Sequence, residues 1–245
     1  MDVEALTQLF AYCERGQSDR LSAEPVNVLT NLAFLVAAIL AGLRWRAYAE
    51  RLRDRDVAVF IALMALIGLG SAGLHVFAAP WAILGDVLPI ALFILAYLNF
   101  ALIRFLGLPP GIAMLLVLAF LAMTGAMLAF PAATIALNGS TVLLPALGVV
   151  MLVGGLMQRR RHPGGAWLLS AAGLFAIALV LRTIDHTVCD ATIVNGHTFG
   201  THAGWHVVCA VVLYLLVRAA MDHGRHGEQV YEVLAPVGPR AGGSK

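Results

Sequence analysis

Seven apolar stretches dominate the chain, at roughly Pro25 to Leu43, Val57 to Phe77, Trp81 to Leu102, Gly111 to Phe130, Thr141 to Met157, Ala166 to Leu181 and His202 to Val217. An α-helix needs about 20 apolar residues to cross the hydrocarbon core of a bilayer, and most of these stretches are near that length. Asn138, Gly139 and Pro145 blur the start of the fifth. Leu and Ala are abundant and polar residues do not alternate with apolar ones, which argues against a membrane β-barrel. The expected fold is all-α, a seven-transmembrane helix bundle. With 60% hydrophobic and 12% charged residues in a chain of 245, an ordinary soluble enzyme and a disordered chain are both excluded.

The connections carry an orientation signal. Arg44, Arg46, Arg51, Arg53 and Arg55 crowd the first, Arg104 lies in the third and Arg159, Arg160 and Arg161 occupy the fifth, while the second and fourth carry no basic residue. Basic loops stay in the cytoplasm, so the amino terminus is expected outside and the carboxyl terminus in the cytoplasm. Residues 1–24 then form an exterior segment that does not read as a signal peptide. Residues 25–221 form one membrane domain, and 222–245 a flexible cytoplasmic tail in which His223 and His226 are solvated. The Arg-rich, nearly Lys-free composition fits a bacterial inner membrane, with the outer face toward the periplasm. Sixteen basic against 14 acidic residues give no cationic face for nucleic acid.

Several polar residues stand inside this apolar frame. Ser71 and His75 are four residues apart in the second stretch and share a helical face, with Gly68, Gly70 and Gly73 nearby to admit another helix. Asp86 opens the third stretch at the same expected depth. A carboxylate in hydrocarbon is costly, so it should face the bundle interior and find a cation or donor. The seventh stretch begins with His202, Ala203, Gly204, Trp205 and His206, whose two histidines again share one face. Three histidines at one depth point to a common metal site. Three imidazoles with an open position filled by water are a catalytic zinc arrangement, although iron, nickel and cobalt also accept imidazole.

Ser71-Ala-Gly-Leu-His75, the following Asp86, and His202-Ala-Gly-Trp-His206 resemble the alkaline ceramidases, within the seven-helix membrane hydrolases that include adiponectin-receptor-like proteins. The resemblance implies zinc held by His75, His202 and His206. It also implies hydrolysis of the ceramide amide to a long-chain base and a fatty acid, by attack of a zinc-bound water with Ser71 and Asp86 beside it. Asp86 is expected to orient and deprotonate the water, and Ser71 to hydrogen-bond the developing oxyanion. The lipid partner is ceramide or a related N-acyl or ester lipid.

The ceramidases that the chain resembles characteristically open with Asp-Trp-Cys-Glu and further acidic and polar residues, which in animal members hold calcium near the zinc. Here the chain reads Ala11-Tyr12-Cys13-Glu14-Arg15-Gly16 and then Glu24-Pro25-Val26-Asn27, so Ala11 and Gly16 remove two ligands. Glu14, Glu24, Asn27 and a substituting Asp19 remain as a calcium or structural polar site. The simpler expectation makes Glu24 a helix-start residue and Asn27 a hydrogen-bonding group in the bundle. Cys13 and Cys189 both fall at the outer surface, where a disulfide is compatible with an oxidising exterior.

Other readings compete. The one lysine is Lys245, so no retinal Schiff base can form inside the membrane. A metal or proton transporter would use intramembrane polar residues, but here they cluster toward one side. A noncatalytic lipid receptor would use the same fold. Asp185, His186, Asp190 and His197 are expected in a solvated outer loop, with Asp185 and Arg182 satisfying local helix-end groups, His186 and His197 as alternative ligands, and headgroup binding, proton relay or guarding of the entrance as the functional alternative. Trp45, Trp81 and Trp167 are expected as interfacial anchors, and Trp205 as a helix-packing or entrance residue.

Overall fold

A computed structural model describes residues 12–16, 18, 20–48 and 54–224. Among the described residues, seven helical segments are long and apolar enough to span a membrane: Pro25–Ala47, Arg55–Phe77, Pro80–Phe105, Pro110–Met127, Ser140–Arg159, Gly164–Val188 and His202–His223. They are numbered here as the first to seventh spans. Asp19, Arg51, Arg53, His226 and the rest of the tail lie outside the described residues.

The span ends follow backbone chemistry. Proline stands at the start of the first, third and fourth spans, where a missing N–H costs nothing. The Asp54 side chain accepts the Asp56 N–H to cap the second span, which closes on Ala78 in the left-handed region. The fifth span begins irregularly. A short helix at Pro131–Ala136 precedes it, its first four residues, Ser140–Leu143, form a 3₁₀ turn, and Pro145 sits in the first turn of the α-helix that follows. Asn138 explains the irregular approach: its Nδ2 donates to the Arg182 carbonyl at 2.8 Å, while Arg182 Nε donates back to the Asn138 carbonyl at 3.0 Å. The seventh span continues to His223, two residues beyond the expected domain boundary.

The seventh span is the hub. It packs on the sixth and the first, the first on the second, the second on the third, and the fifth on the sixth. Its core is apolar: Phe60, Met64, Phe93, Met157, Leu168 and Val217 are almost fully buried. On the outside, Leu29, Val36, Ile39, Leu40 and Leu43 of the first span are exposed, as expected of a surface that faces lipid.

The second and third spans meet backbone to backbone. A Cβ placed on Gly70 would overlap the carbonyl oxygen of Gly85 and lie 2.7 Å from its carbonyl carbon. Pro89, inside the third span, lacks the N–H that would otherwise donate to that carbonyl in the helix. Glycine at position 70 brings the helices together one residue before Ser71 and one before Asp86, whereas a Cβ on Gly85 would meet no atom within 4 Å. Gly68 meets the first span in a similar way, against Asn31 and Phe34, whereas Gly73 faces open space.

Candidate metal centre

His75 lies two residues from the end of the second span, and His202 and His206 lie on the first turns of the seventh. All three are buried. Their ring centroids are 4.6 to 5.2 Å apart, and one nitrogen from each lies within 4.8 Å of the others. Among the described residues no other group of His, Cys, Asp and Glu converges in this way. His186 and His197 stay outside the cluster.

The hydrogen bonds behind the rings fix which nitrogens face inward. Glu24 Oε2 lies 2.6 Å from His75 Nδ1. Burial works to raise the Glu24 carboxyl, but hydrogen bonds from His75, Asn27 and Arg15 outweigh it and hold it below the ordinary carboxylate range. An ionised carboxylate only accepts, so His75 carries its proton on Nδ1 and leaves Nε2 bare. Thr30 Oγ1 has one proton and gives it to the Val26 or Asn27 carbonyl, at 2.9 and 3.1 Å. It therefore accepts from His206 Nδ1, 2.9 Å away, and His206 Nε2 is bare as well.

These two Nε2 atoms face each other at 3.1 Å. Two lone pairs at that distance repel unless a cation lies between them. A tetrahedral ion with metal–nitrogen bonds of ~2.0–2.1 Å holds two such nitrogens about 3.4 Å apart. His202 Nδ1 is buried without any hydrogen-bond partner. The donor set fits a metal ion.

Asp185 anchors the helix that carries two of the ligands. It is fully buried, its Oδ1 accepts the Thr201 and His202 N–H groups at 2.7 and 2.9 Å, and its Oδ2 accepts the Cys13 N–H at 3.1 Å. A carboxylate here satisfies free N–H groups at the start of the seventh span and complements its dipole. Asp185 does satisfy helix-end groups, but they belong to the seventh span, and it is buried where a solvated loop residue is expected. Cys13 and Cys189 form a disulfide with a Cα–Cα distance of 5.4 Å. Tyr12, the residue before Cys13, stacks on His202 with ring centroids 3.8 Å apart. Burial pushes its hydroxyl up to about 12, so it stays protonated.

The amino-terminal carboxylates divide their work. Glu14 accepts the Val26 and Asn27 N–H groups, each at 2.7 Å, and so is the anion at the first helical turn. Burial raises its carboxyl, against the lowering effect of those two groups. Glu24 does not cap that turn with its side chain; it turns to His75, Arg15 and Asn27 instead. Asn27 bonds within the bundle as expected, donating to Glu24 at 3.0 Å.

Ser71 and Asp86 are buried, and the Ser71 hydroxyl lies against the Asp86 carboxyl. Both line a cavity of about 540 Å³ together with His202 and His206. Tyr12, Arg182 and Trp205 complete its polar end, with the Arg182 guanidinium 5.5 Å from the Trp205 ring. The rest of the wall is apolar, including Phe93, Ile94, Phe120, Val153 and Val212. From His206 to Leu216 the lining descends ten residues of helix, about 15 Å.

A family model described as ceramidase matches residues 6–235. The chain belongs to the ceramidase family. No curated protein and no solved structure matches it. The ceramidase motifs first visible as Ser71 to His75 and His202 to His206 end at one buried cluster, and the family places the chain among the seven-helix membrane hydrolases. With its histidine triad it is a metal-dependent membrane hydrolase acting on a ceramide-type lipid. Arg15, Tyr12 and Arg182 escape a reading of the sequence as parts of this ceramidase site. Arg15 reaches the main chain of His75, and Asp185 that of Cys13, Thr201 and His202, contacts which no residue spacing announces.

Proposed function

We propose that the chain hydrolyses the amide of ceramide to a sphingoid base and a fatty acid, using zinc held by His75, His202 and His206. The observation that carries this reading is the facing pair of bare Nε2 atoms at the head of an apolar cavity. Three neutral imidazoles without thiolates favour zinc in a catalytic role over a cysteine-rich structural one. A zinc ion bound there supplies Lewis acidity toward a carbonyl oxygen and toward water.

The chain's own residues do the rest. The apolar wall takes the acyl tail, which brings the amide to the level of Ser71 and Asp86. Asp86 orients the attacking water and accepts its proton as the new carbon–oxygen bond forms. It then returns that proton to the nitrogen as the carbon–nitrogen bond breaks, so the amine leaves neutral. Ser71 donates its hydroxyl hydrogen to the carbonyl oxygen as negative charge develops there. Glu24 and Thr30 keep His75 and His206 in the tautomer that leaves Nε2 free. The distribution of basic residues among the loops supports an outer-face position for this end of the bundle, read here as the periplasmic face of a bacterial inner membrane.

Purified protein incubated with ceramides of defined chain length should release both products in equal amounts. Asp86→Asn should keep its zinc and lose roughly 10²–10⁴-fold in kcat, while His202→Ala should lose zinc and turnover together. Undiminished turnover by His202→Ala would overturn the ligand assignment.

A further inference from the structure

Beside the metal centre lies a cage of oxygen atoms already filled by a cation of the chain itself. Arg15 Nε donates to Glu24 Oε1 at 2.5 Å. One terminal nitrogen donates to the Ser18 and Arg20 carbonyls, both at 3.2 Å, and the other to the His75 carbonyl at 2.6 Å. The guanidinium thus meets one carboxylate and three main-chain oxygens. Its side chain is 10% exposed, and that of Glu24 is 1% exposed.

Two of these contacts, those to Glu24 and to the His75 carbonyl, bear on the metal centre. The His75 carbonyl belongs to the last turn of the second span, where carbonyl groups lack helical donors and the helix dipole is negative, so a cation is stabilised there. Glu24 is held from both sides: Arg15 takes Oε1, while His75 Nδ1 and Asn27 Nδ2 donate to Oε2. Arg15 therefore grips both the main chain of His75 and the carboxylate that selects its tautomer.

The same contacts leave little for a metal of the calcium type, which takes six to eight oxygen ligands. Glu24 has no oxygen without a protein donor, and Glu14 spends both of its oxygens on the Val26 and Asn27 N–H groups. Asn27 Oδ1 is unpaired, but among the described residues a single free amide oxygen is far short of such a shell.

We infer that the Arg15 guanidinium is the resident cation of this oxygen cage, positioning Glu24 and His75 for metal binding, and that the protein neither binds nor requires calcium there. The inference rests on the histidine metal site, and it makes Arg15 a positioning residue that acts through Glu24 and His75. An Arg15→Lys ammonium carries the charge but lacks the planar fork that reaches the carboxylate and the carbonyls together.

The test uses the full chain loaded with zinc in calcium-stripped buffer. Wild type should show no stoichiometric uptake of radioactive calcium, and its turnover should not change as calcium is titrated to millimolar levels. Arg15→Ala should lose about 10–100-fold in zinc affinity, measured by chelator competition, and added methylguanidinium should restore part of it. Arg15→Lys should fall between wild type and Arg15→Ala. Stoichiometric calcium uptake by wild type overturns the inference, as does an Arg15→Ala protein with wild-type zinc affinity or one that methylguanidinium fails to rescue. Neither calcium uptake nor zinc affinity depends on turnover, so a chain that binds zinc but leaves ceramide intact refutes the proposed reaction and not the role of Arg15.

Discussion

Replacing Gly70 with alanine tests whether the backbone contact between the second and third spans sets the reacting geometry. The new methyl group would overlap the Gly85 carbonyl oxygen, with 2.7 Å to the carbonyl carbon and 3.3 Å to the Asp86 nitrogen. Ordinary contact begins near 3.4 Å, so the third span must retreat by at least about 0.7 Å, because packed backbone cannot yield locally. Overpacking of this kind costs about 1–3 kcal/mol. The larger effect falls on chemistry: the retreat carries Asp86 away from Ser71 and the histidines, and a misplacement of about 1 Å lowers turnover by about 10²-fold. None of the three histidines is on the third span, so zinc stoichiometry should hold. Gly73→Ala is the matched control, because a Cβ there meets no atom within 4 Å. The assay is ceramide turnover beside zinc content for wild type and both variants. Turnover of Gly70→Ala within about twofold of wild type refutes the reasoning, as does an equal loss in Gly73→Ala.

Two further outcomes are expected. Asp185→Ala leaves three N–H groups without their acceptor, so it should lower stability in detergent by on the order of 3 kcal/mol, with Asp185→Asn losing less because one acceptor oxygen remains; an alanine variant that melts with wild type removes the anchoring role. A carboxyl-terminal tag should resist protease in intact cells and be cleaved after lysis, and cleavage in intact cells reverses the proposed sidedness.

The bundle and the ligand triad were legible in the sequence for different reasons. Span length is a direct consequence of bilayer thickness, so the seven apolar stretches declare themselves. His202 and His206 announce themselves through a four-residue spacing that has one geometric meaning on a helix, and His75 by its depth. Asp86 was readable because an unpaired carboxylate inside a membrane demands a partner. Glu24 illustrates the limit. Its place before Pro25 resembles a helix start, yet Glu14 receives the N–H groups of that turn and Glu24 turns toward His75. Either carboxylate satisfies the local rule, and only tertiary packing decides between them. Asp185 was equally hidden, since an acidic residue beyond a helix end reads as solvated until the Thr201 and His202 N–H groups are seen to meet it.

The ligand histidines are divided between an early helix and the final one, and the partner of His206 sits at Thr30 near the start of the fold. During synthesis, a chain that has inserted six helices has His75 but neither of the other two imidazoles. It has no triad with which to capture an ion, so under the proposed mechanism Asp86 and Ser71 have no activated water to work with. On that mechanism lipid cleavage switches on only when the last helix docks, and incomplete chains left in the bilayer leave the lipid around them intact.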